Sequence, residues 1–502
     1  MRPSAIAGSW YPGSKSLALA EVHRMTRVAV VAPLPGAPVA LVVPHAGWRY
    51  SGTAAAAAFR AVRPGAYDRV VVIAPSHHGG FSGFAIPDVA GYSTPLGDVP
   101  LAADACAKLR DGELARDVPG VDDHEHAIEI ELPFLQALGS FKLVPVLAGQ
   151  ATAEMQRRFA ARLAALHDGR TLYVFSSDFT HYGPRFGYTP FGPSAMKAGA
   201  EIKHLADRAI GYLSARDAAG FRAYLEETGD TICGRNGLGV LLELLPKIAP
   251  DAKPTVVARY TSTELPDSRD DNSVSYVAMT FGSAPARPGE PMRVPPPAPA
   301  CPPRAPEIDA ALGQALVGVA RATLRTELSD SDDLRRALAA LPDRAELDRL
   351  QAVFVTLKRT DPREIARYGD LRGCVGQVWP TYPLSQAVVI SAIDAALNDH
   401  RFEPVQASEL DRLAVEVTVL SPPHPVESWR EIQVGKHGVV LEQSGRRALF
   451  LPQVATEQGW NVEQTLDALA RKAGLATSAW REPGAKFSVF TGQVFEEHGH
   501  GP

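Results

Sequence analysis

The sequence predicts an α/β protein, a mainly parallel sheet flanked by helices, followed by a separate α+β domain. Three observations carry the prediction. Continuous apolar runs recur in ALVVPHAGWRYSG (residues 40–52), RVVVIAPSHHGG (69–80) and LYVFSSDFTHYG (172–183), and each ends in a loop of small residues bearing histidine. Runs of Val, Ile and Leu without alternation are strands buried on both faces. Helical stretches at 101–110, 153–167 and 194–215 alternate with such runs, which implies crossover units and parallel pairing. Residues 284–306 hold ten of the chain's 42 prolines, a composition that makes an extended, semi-rigid spacer. A chain of 502 residues exceeds one ordinary core. It divides into a domain at 1–283, a linker at 284–306 and a second domain at 307–502.

The first strand run delivers His45. The Ala-rich run at 54–58, closely flanked by Arg49 and Arg60, is a helix packed on the sheet, too short for a membrane span. The second strand delivers His77 and His78. VDDHEHAIEIELPFL (121–135) opens as a loop and continues as a helix. There His126 and Glu129, three apart, share a helix face and are candidates for chemistry. The alternative is a solvated helix start with acidic residues at the positive end of the dipole. FKLVPVLAG (141–149) is a further buried strand, and the strand at 172–175 delivers Asp178 and His181. GDTICGRNG (229–237) sets Cys233 among glycines that let backbone approach closely.

After the linker, helices at 307–326 and 332–341 come first. LAVEVTVLS (413–421) alternates Val415, Val417 and Val419 with Glu416 and Thr418, the pattern of a half-buried strand. HGVVLEQSGRRALFLPQ (437–453) is a hairpin turning at Ser444 and Gly445. Asn461 caps a helix over 462–473, with Gln464 three residues on and Gly474 past its end.

Hydrophobic content of 45% and charged content of 21% are globular values. A net charge of −5 gives no electrostatic footprint for nucleic acid or an anionic membrane. The four cysteines, Cys106, Cys233, Cys301 and Cys374, make no disulfide framework and suit a reducing cytoplasm. MRPSAIAGSWYPG has no charged segment followed by an apolar stretch, so no signal peptide is expected. Neither a GxxxxGK[ST] loop nor a strand-linked GxGxxG occurs.

In open α/β sheets, ligands bind beyond the carboxyl ends of the strands. The strand ends therefore bring imidazoles to one rim. His45, His77, His181 and Cys233 are the candidate metal ligands. Imidazole and thiolate favour iron, zinc or copper over magnesium or calcium. Two His and one Cys leave the open position that catalytic sites need. Asp178 and His181 suit proton transfer beside bound water. For each histidine the alternative is a capping or hydrogen-bonding role, and for Cys233 that of a small buried hydrophobe.

AGSWYPG, VVPHAGWRYSG, APSHHG, HAIEIELPFL, SSDFTHYG, DTICGRNG and NSVSYVA together resemble the Memo family across residues 1–283. That family is similar in fold to the LigB-type class III extradiol dioxygenases, non-haem iron enzymes. The resemblance implies His45, His77 and Cys233 as ligands, Asp178 and His181 beside them, and iron (Fe²⁺) as the metal ahead of copper or zinc. The extradiol enzymes use two His and a Glu, so Cys233 is a departure that changes charge donation to the metal. LRGCVGQVWP, EVTVLSPP and RALFLPQVATEQGW resemble the AMMECR family over 307–497. Memo-like, AMMECR-like and radical-SAM proteins occur together as the AmmeMemoRadiSam system, which implies a radical-SAM partner.

In the second domain, Cys374 follows Arg372, whose cation would lower a thiol pKa. The alternatives are a nucleophile or thiol carrier, completed by His424 or His437, and a small buried residue in a tight turn. The expectation is a cytoplasmic metalloprotein with iron-dependent, dioxygenase-like redox chemistry on a small molecule or peptide, without nucleic acid or membrane. The alternatives are a metal-containing peptide-binding adaptor and a zinc-dependent hydrolase.

Overall fold

The computed structural model describes residues 1–29, 37–266, 268, 271–282, 292 and 308–497. Two compact units emerge, Met1–Pro297 and Ala298–Pro502. Apart from Met292, the linker expected at 284–306 lies outside the described residues, as does Cys301.

The strands of the first unit are β1 (Ala40–Val43), β2 (Arg69–Pro75), β3 (Phe84–Ala85), β4 (Gly91–Thr94), β5 (Gly97–Pro100), β6 (Ala115–Arg116), β7 (Lys142–Ala148), β8 (Thr171–Ser176), β9 (His181–Tyr182), β10 (Lys253–Thr261) and β11 (Ser273–Gly282). Among the described residues nine of them form one sheet, ordered β10-β11-β1-β8-β2-β7-β3-β6, with β9 against β11. β4 and β5 make a separate hairpin. The centre, β1-β8-β2-β7, is parallel. Its flanks are antiparallel, where β11 meets β1 and β10 and where β3 meets β7. The sheet is thus mixed around a parallel centre. β10 and β11 follow each other in the chain, and antiparallel neighbours need no crossover helix.

β1 is buried throughout, and so is β2 from Val70 onward, which is why their sequences do not alternate. The helix Trp48–Phe59 buries every residue of its Ala54–Ala58 run. The helix Arg235–Ile248 buries Leu238, Leu241, Leu242 and Leu245. Among the described residues no helix is long and apolar enough to cross a membrane.

In the second unit, the strand Leu350–Arg359 lies between Leu371–Gly376 and Leu413–Leu420, and Gly492–Glu496 pairs beyond. Leu413–Leu420 is buried on both faces, with Glu416 6% and Thr418 1% exposed. The half-buried expectation is corrected here. The strand has a neighbour on each side, and Lys358 Nζ donates to the Glu416 carboxylate at 2.6 Å, so alternation marks a half-buried ion pair over a covered carboxylate rather than a wet face. The expected hairpin forms from Gly438–Gln443 and Arg446–Phe450. Ser444 (φ 51°) and Gly445 (φ 73°) both take the left-handed conformation that a tight two-residue turn requires. Asn461 and Gln464 close a capping box on the helix Val462–Lys472.

Candidate metal centre

β1, β8 and β2 are adjacent and parallel, so their carboxyl ends share one rim. His45 leaves β1, Asp178 leaves β8 and His77 leaves β2. Cys233 arrives from elsewhere, just before the helix Arg235–Ile248. Gly234 permits its approach: a Cβ there would sit 2.4 Å from Ser177 Cβ. Its N–H donates to Ser177 Oγ at 3.0 Å. Ligand atoms of His45, His77 and Cys233 all lie within 4.8 Å of one another, a span that one ion with bonds of about 2.0–2.3 Å bridges. His45 Nε2 stands 3.1 Å from Cys233 Sγ.

Each imidazole is held through its other nitrogen. His45 Nδ1 is 2.8 Å from Ser176 Oγ. His77 Nδ1 is 2.9 Å from Glu125 Oε1, and the His77 backbone N–H donates to Glu125 Oε2 at 2.6 Å. A carboxylate that fixes the far nitrogen of a ligating histidine sets its tautomer and raises its basicity. A second group of potential ligands, His77, Glu125 and His126, shares this corner.

Burial disfavours the charged forms of His45 and Cys233. Burial, and then the nearby His77, His126 and His181, hold the His45 pKa well below its ordinary value. Burial and His77 lower His126 to about 4. Burial would raise Glu125, but its hydrogen bonds and charge contacts with His77 win and bring it down to about 2. Burial and the Asp178 charge push the Cys233 thiol upward. A buried thiol of this kind becomes a thiolate when a cation compensates its charge. Two imidazoles and such a thiol fit a borderline or soft first-row ion and do not fit magnesium or calcium.

Asp178 is buried, and its Oδ1 accepts the His45 backbone N–H at 2.9 Å. Burial raises its pKa against the opposing pull of His181. His181 is fixed by Thr231, whose Oγ1 accepts the His181 backbone N–H at 2.8 Å. His181 Nδ1 is 3.1 Å from the Thr231 carbonyl, which can only accept, so this nitrogen carries a proton.

Of the other candidates, His126 joins this corner and the rest lie elsewhere. His126 stacks on His77 with ring centroids 4.5 Å apart. Glu129 does not join it. The helical segment begins with a 3-10 turn at Glu129–Glu131, and His126 lies before it, so the expected shared helix face is not formed. Glu129 instead pairs with Arg2 and accepts from Tyr11 Oη at 3.0 Å and the Ala5 N–H at 2.8 Å. It thereby pins the N-terminal segment that lays Trp10 against His126, centroids 4.4 Å apart. His78 faces His124 across 6.4 Å. Glu125, Ser176 and Glu131, which orient the histidines, were not expected from the sequence. The signal for the glutamates was their density in DDHEHAIEIE beside two histidines.

In the second unit the surroundings of Cys374 favour the small buried residue over the nucleophile. Arg372 is spent on Glu409, with bonds of 2.8 and 3.0 Å. Burial raises the Cys374 thiol against the Thr356 hydroxyl and the Arg401 charge. His424 pairs opposite Val489, in a different sheet from Cys374.

The Memo-like protein family model matches residues 2–280 and the AMMECR1 model residues 317–495. Protein MEMO1 of Danio rerio is 32% identical over 286 residues, covering 55% of this chain and 96% of that protein. The protein memo-1 homolog of Caenorhabditis elegans is 33% identical over 290 residues, covering 55% and 81%. A solved structure of an uncharacterised protein from Pyrococcus horikoshii aligns with 36% identity and a TM-score of 0.33, over 39% of this chain and 96% of that one.

Proposed function

Because the chain belongs to the Memo-like protein family and carries an AMMECR1 domain after that part, we propose that its first unit is a transition-metal centre, iron foremost, for redox chemistry on a small molecule or peptide. The observation that carries this is the meeting of His45, His77 and Cys233 from three distant segments at one strand-end rim. These three residues would hold the ion. An iron or copper ion bound there would supply one-electron chemistry and Lewis acidity.

The chain's own residues divide the remaining work. Glu125 fixes the Nδ1–H of His77. Asp178 holds the His45 backbone in place and, with its raised pKa, retains a proton more readily than an ordinary carboxylate. His181, its Nδ1 held on the Thr231 carbonyl, would exchange a proton through Nε2. We further propose a cytoplasmic setting, which a free thiol ligand suits, and a radical-SAM protein of the AmmeMemoRadiSam type as partner.

The test is the metal content of protein purified without added metal, followed by O₂ uptake with catechol-like and peptide substrates. Near-stoichiometric iron and substrate-dependent uptake are expected. Zinc in its place would move the assignment to hydrolysis. A metal-poor protein that binds a peptide at this rim would overturn the enzyme assignment in favour of an adaptor.

A further inference from the structure

Glu131 lies behind the centre, wholly buried. Its Oε1 is 3.0 Å from Ser176 Oγ. Ser176 Oγ is also 2.7 Å from the Ala127 carbonyl oxygen and 2.8 Å from His45 Nδ1. Its other oxygen, Oε2, has no hydrogen-bond partner, and among the described residues no cation pairs with it.

A hydroxyl has one hydrogen to give and two lone pairs to receive. The Ala127 carbonyl can only accept, so it takes the Ser176 hydrogen. The other two neighbours must then donate. His45 donates from Nδ1, and Glu131 donates only if it carries a proton. Were Glu131 ionised, the one hydroxyl hydrogen would face two acceptors. An unpaired carboxylate would also sit in a dry interior, a costly arrangement. The charged group facing Glu131 is Asp178, and it acts in the same direction. Burial and this like charge hold the Glu131 pKa well above the ordinary carboxyl range.

We propose that Glu131 is a permanently protonated, neutral acid that acts through Ser176 as a positioning residue for His45. Its O–H and the His45 Nδ1–H share the Ser176 oxygen, which turns a His45 Nε2 lone pair toward the rim. The two histidines are then backed unequally: His77 by a carboxylate, His45 by a hydroxyl and a neutral acid. His77 is the stronger electron donor and His45 the weaker. The purpose assigned to Glu131 rests on the metal-centre proposal, whereas its protonation does not.

The test uses the metal-free full chain. Infrared difference spectra of wild type minus Glu131→Gln, in heavy water at mildly alkaline pH, should show the carbonyl stretch of a protonated carboxyl. Nitrogen NMR of the wild type should show His45 protonated at Nδ1 and not at Nε2. Absence of the band, or a proton on His45 Nε2, would overturn the proposal. Should Glu131→Gln fail to fold, the difference spectrum is taken against Glu131→Leu, and the band decides. Zinc affinity, measured against a chelator, tests the positioning role. Glu131→Gln keeps a donor and should hold affinity within a few-fold, while Glu131→Leu should lose about 10–100-fold. Equal affinities in the two variants would overturn that role. A protein with the band that binds no metal would sink the metal centre and leave the protonation standing.

Discussion

Cys233 Sγ and His45 Nε2 lie 3.1 Å apart although 188 positions separate them in the chain. Without a cation the pair is a neutral thiol beside a neutral imidazole, because burial disfavours the charged form of each. Metal binding must therefore expel the thiol proton. We predict release of about one proton per ion bound near neutral pH, read by calorimetry in buffers of different ionisation enthalpy. Cys233→Ser and His45→Ala should each lose stoichiometric metal while circular dichroism and cooperative unfolding persist. Full metal retention in either variant would remove that residue from the ligand set.

Asp178 and His181 separate chemistry from binding. Asp178→Asn and His181→Ala should lower metal affinity by no more than about 10–100-fold, as loss of a group supporting the ligands does. Turnover should fall by about 10²–10⁴, the usual share of a general acid or base. Loss of metal as complete as in Cys233→Ser would make either residue a ligand.

Gly234 is the backbone condition for Cys233 to reach the rim. A Cβ at 2.4 Å from Ser177 Cβ cannot be accommodated without a shift. Gly234→Ala should destabilise the first unit by about 1–3 kcal/mol, as overpacking of a tight interior does, and should reduce metal content by displacing Cys233. Denaturant unfolding and metal analysis on the same samples check both. Unchanged metal content would show that the Cys233 loop tolerates displacement.

The strands were legible because burial on both faces leaves a continuous apolar run, and His45, His77 and Asp178 were legible because parallel neighbours end at one rim. The support behind them was not. Glu125, Glu129 and Glu131 lie within seven residues of sequence and all are wholly buried. They serve three different partners: His77, Arg2 and Ser176. A helical period assigns Glu129 to the face of His126, but the helical segment begins only at Glu129, so His126 precedes it and no period links the two. Glu416 misled for a related reason. Its polarity suggested solvent, but Lys358 meets it between strands.

Cys374 should behave as an unreactive thiol. Its pKa is raised by burial, and Arg372 is tied to Glu409. Alkylation should be slow at neutral pH and accelerate only above the ordinary thiol range. Cys374→Ser should leave folding and metal content unchanged. Rapid alkylation at neutral pH, mapped by mass spectrometry to Cys374, would restore the nucleophile assignment.

Acid should withdraw, in one continuous descent, the stability that Glu125 and His126 contribute to the metal-free protein. Glu125 is lowered to about 2 and His126 to about 4, against unfolded values of about 4.3 and 6.5. Both folded values lie below the unfolded ones, so the unfolded chain takes up protons first as pH falls, and stability drops. The His126 loss begins below about pH 6.5 and is complete near 4. The Glu125 contribution is fully present above about pH 4.3 and disappears as pH falls through about 2. Its depression from 4.5 to about 2 corresponds to about 3 kcal/mol at neutral pH. Glu125→Gln should remove that amount and flatten the lower limb, and His126→Gln should flatten the upper one. The measurement is the urea midpoint of the first unit's transition across pH, followed by hydrogen exchange at residues 121–135. Glu131, whose folded pKa is raised, acts with the opposite sign in this window, so each limb is read as wild type against variant: wild-type and His126→Gln midpoints that run parallel between about pH 6.5 and pH 4 would remove the His126 assignment.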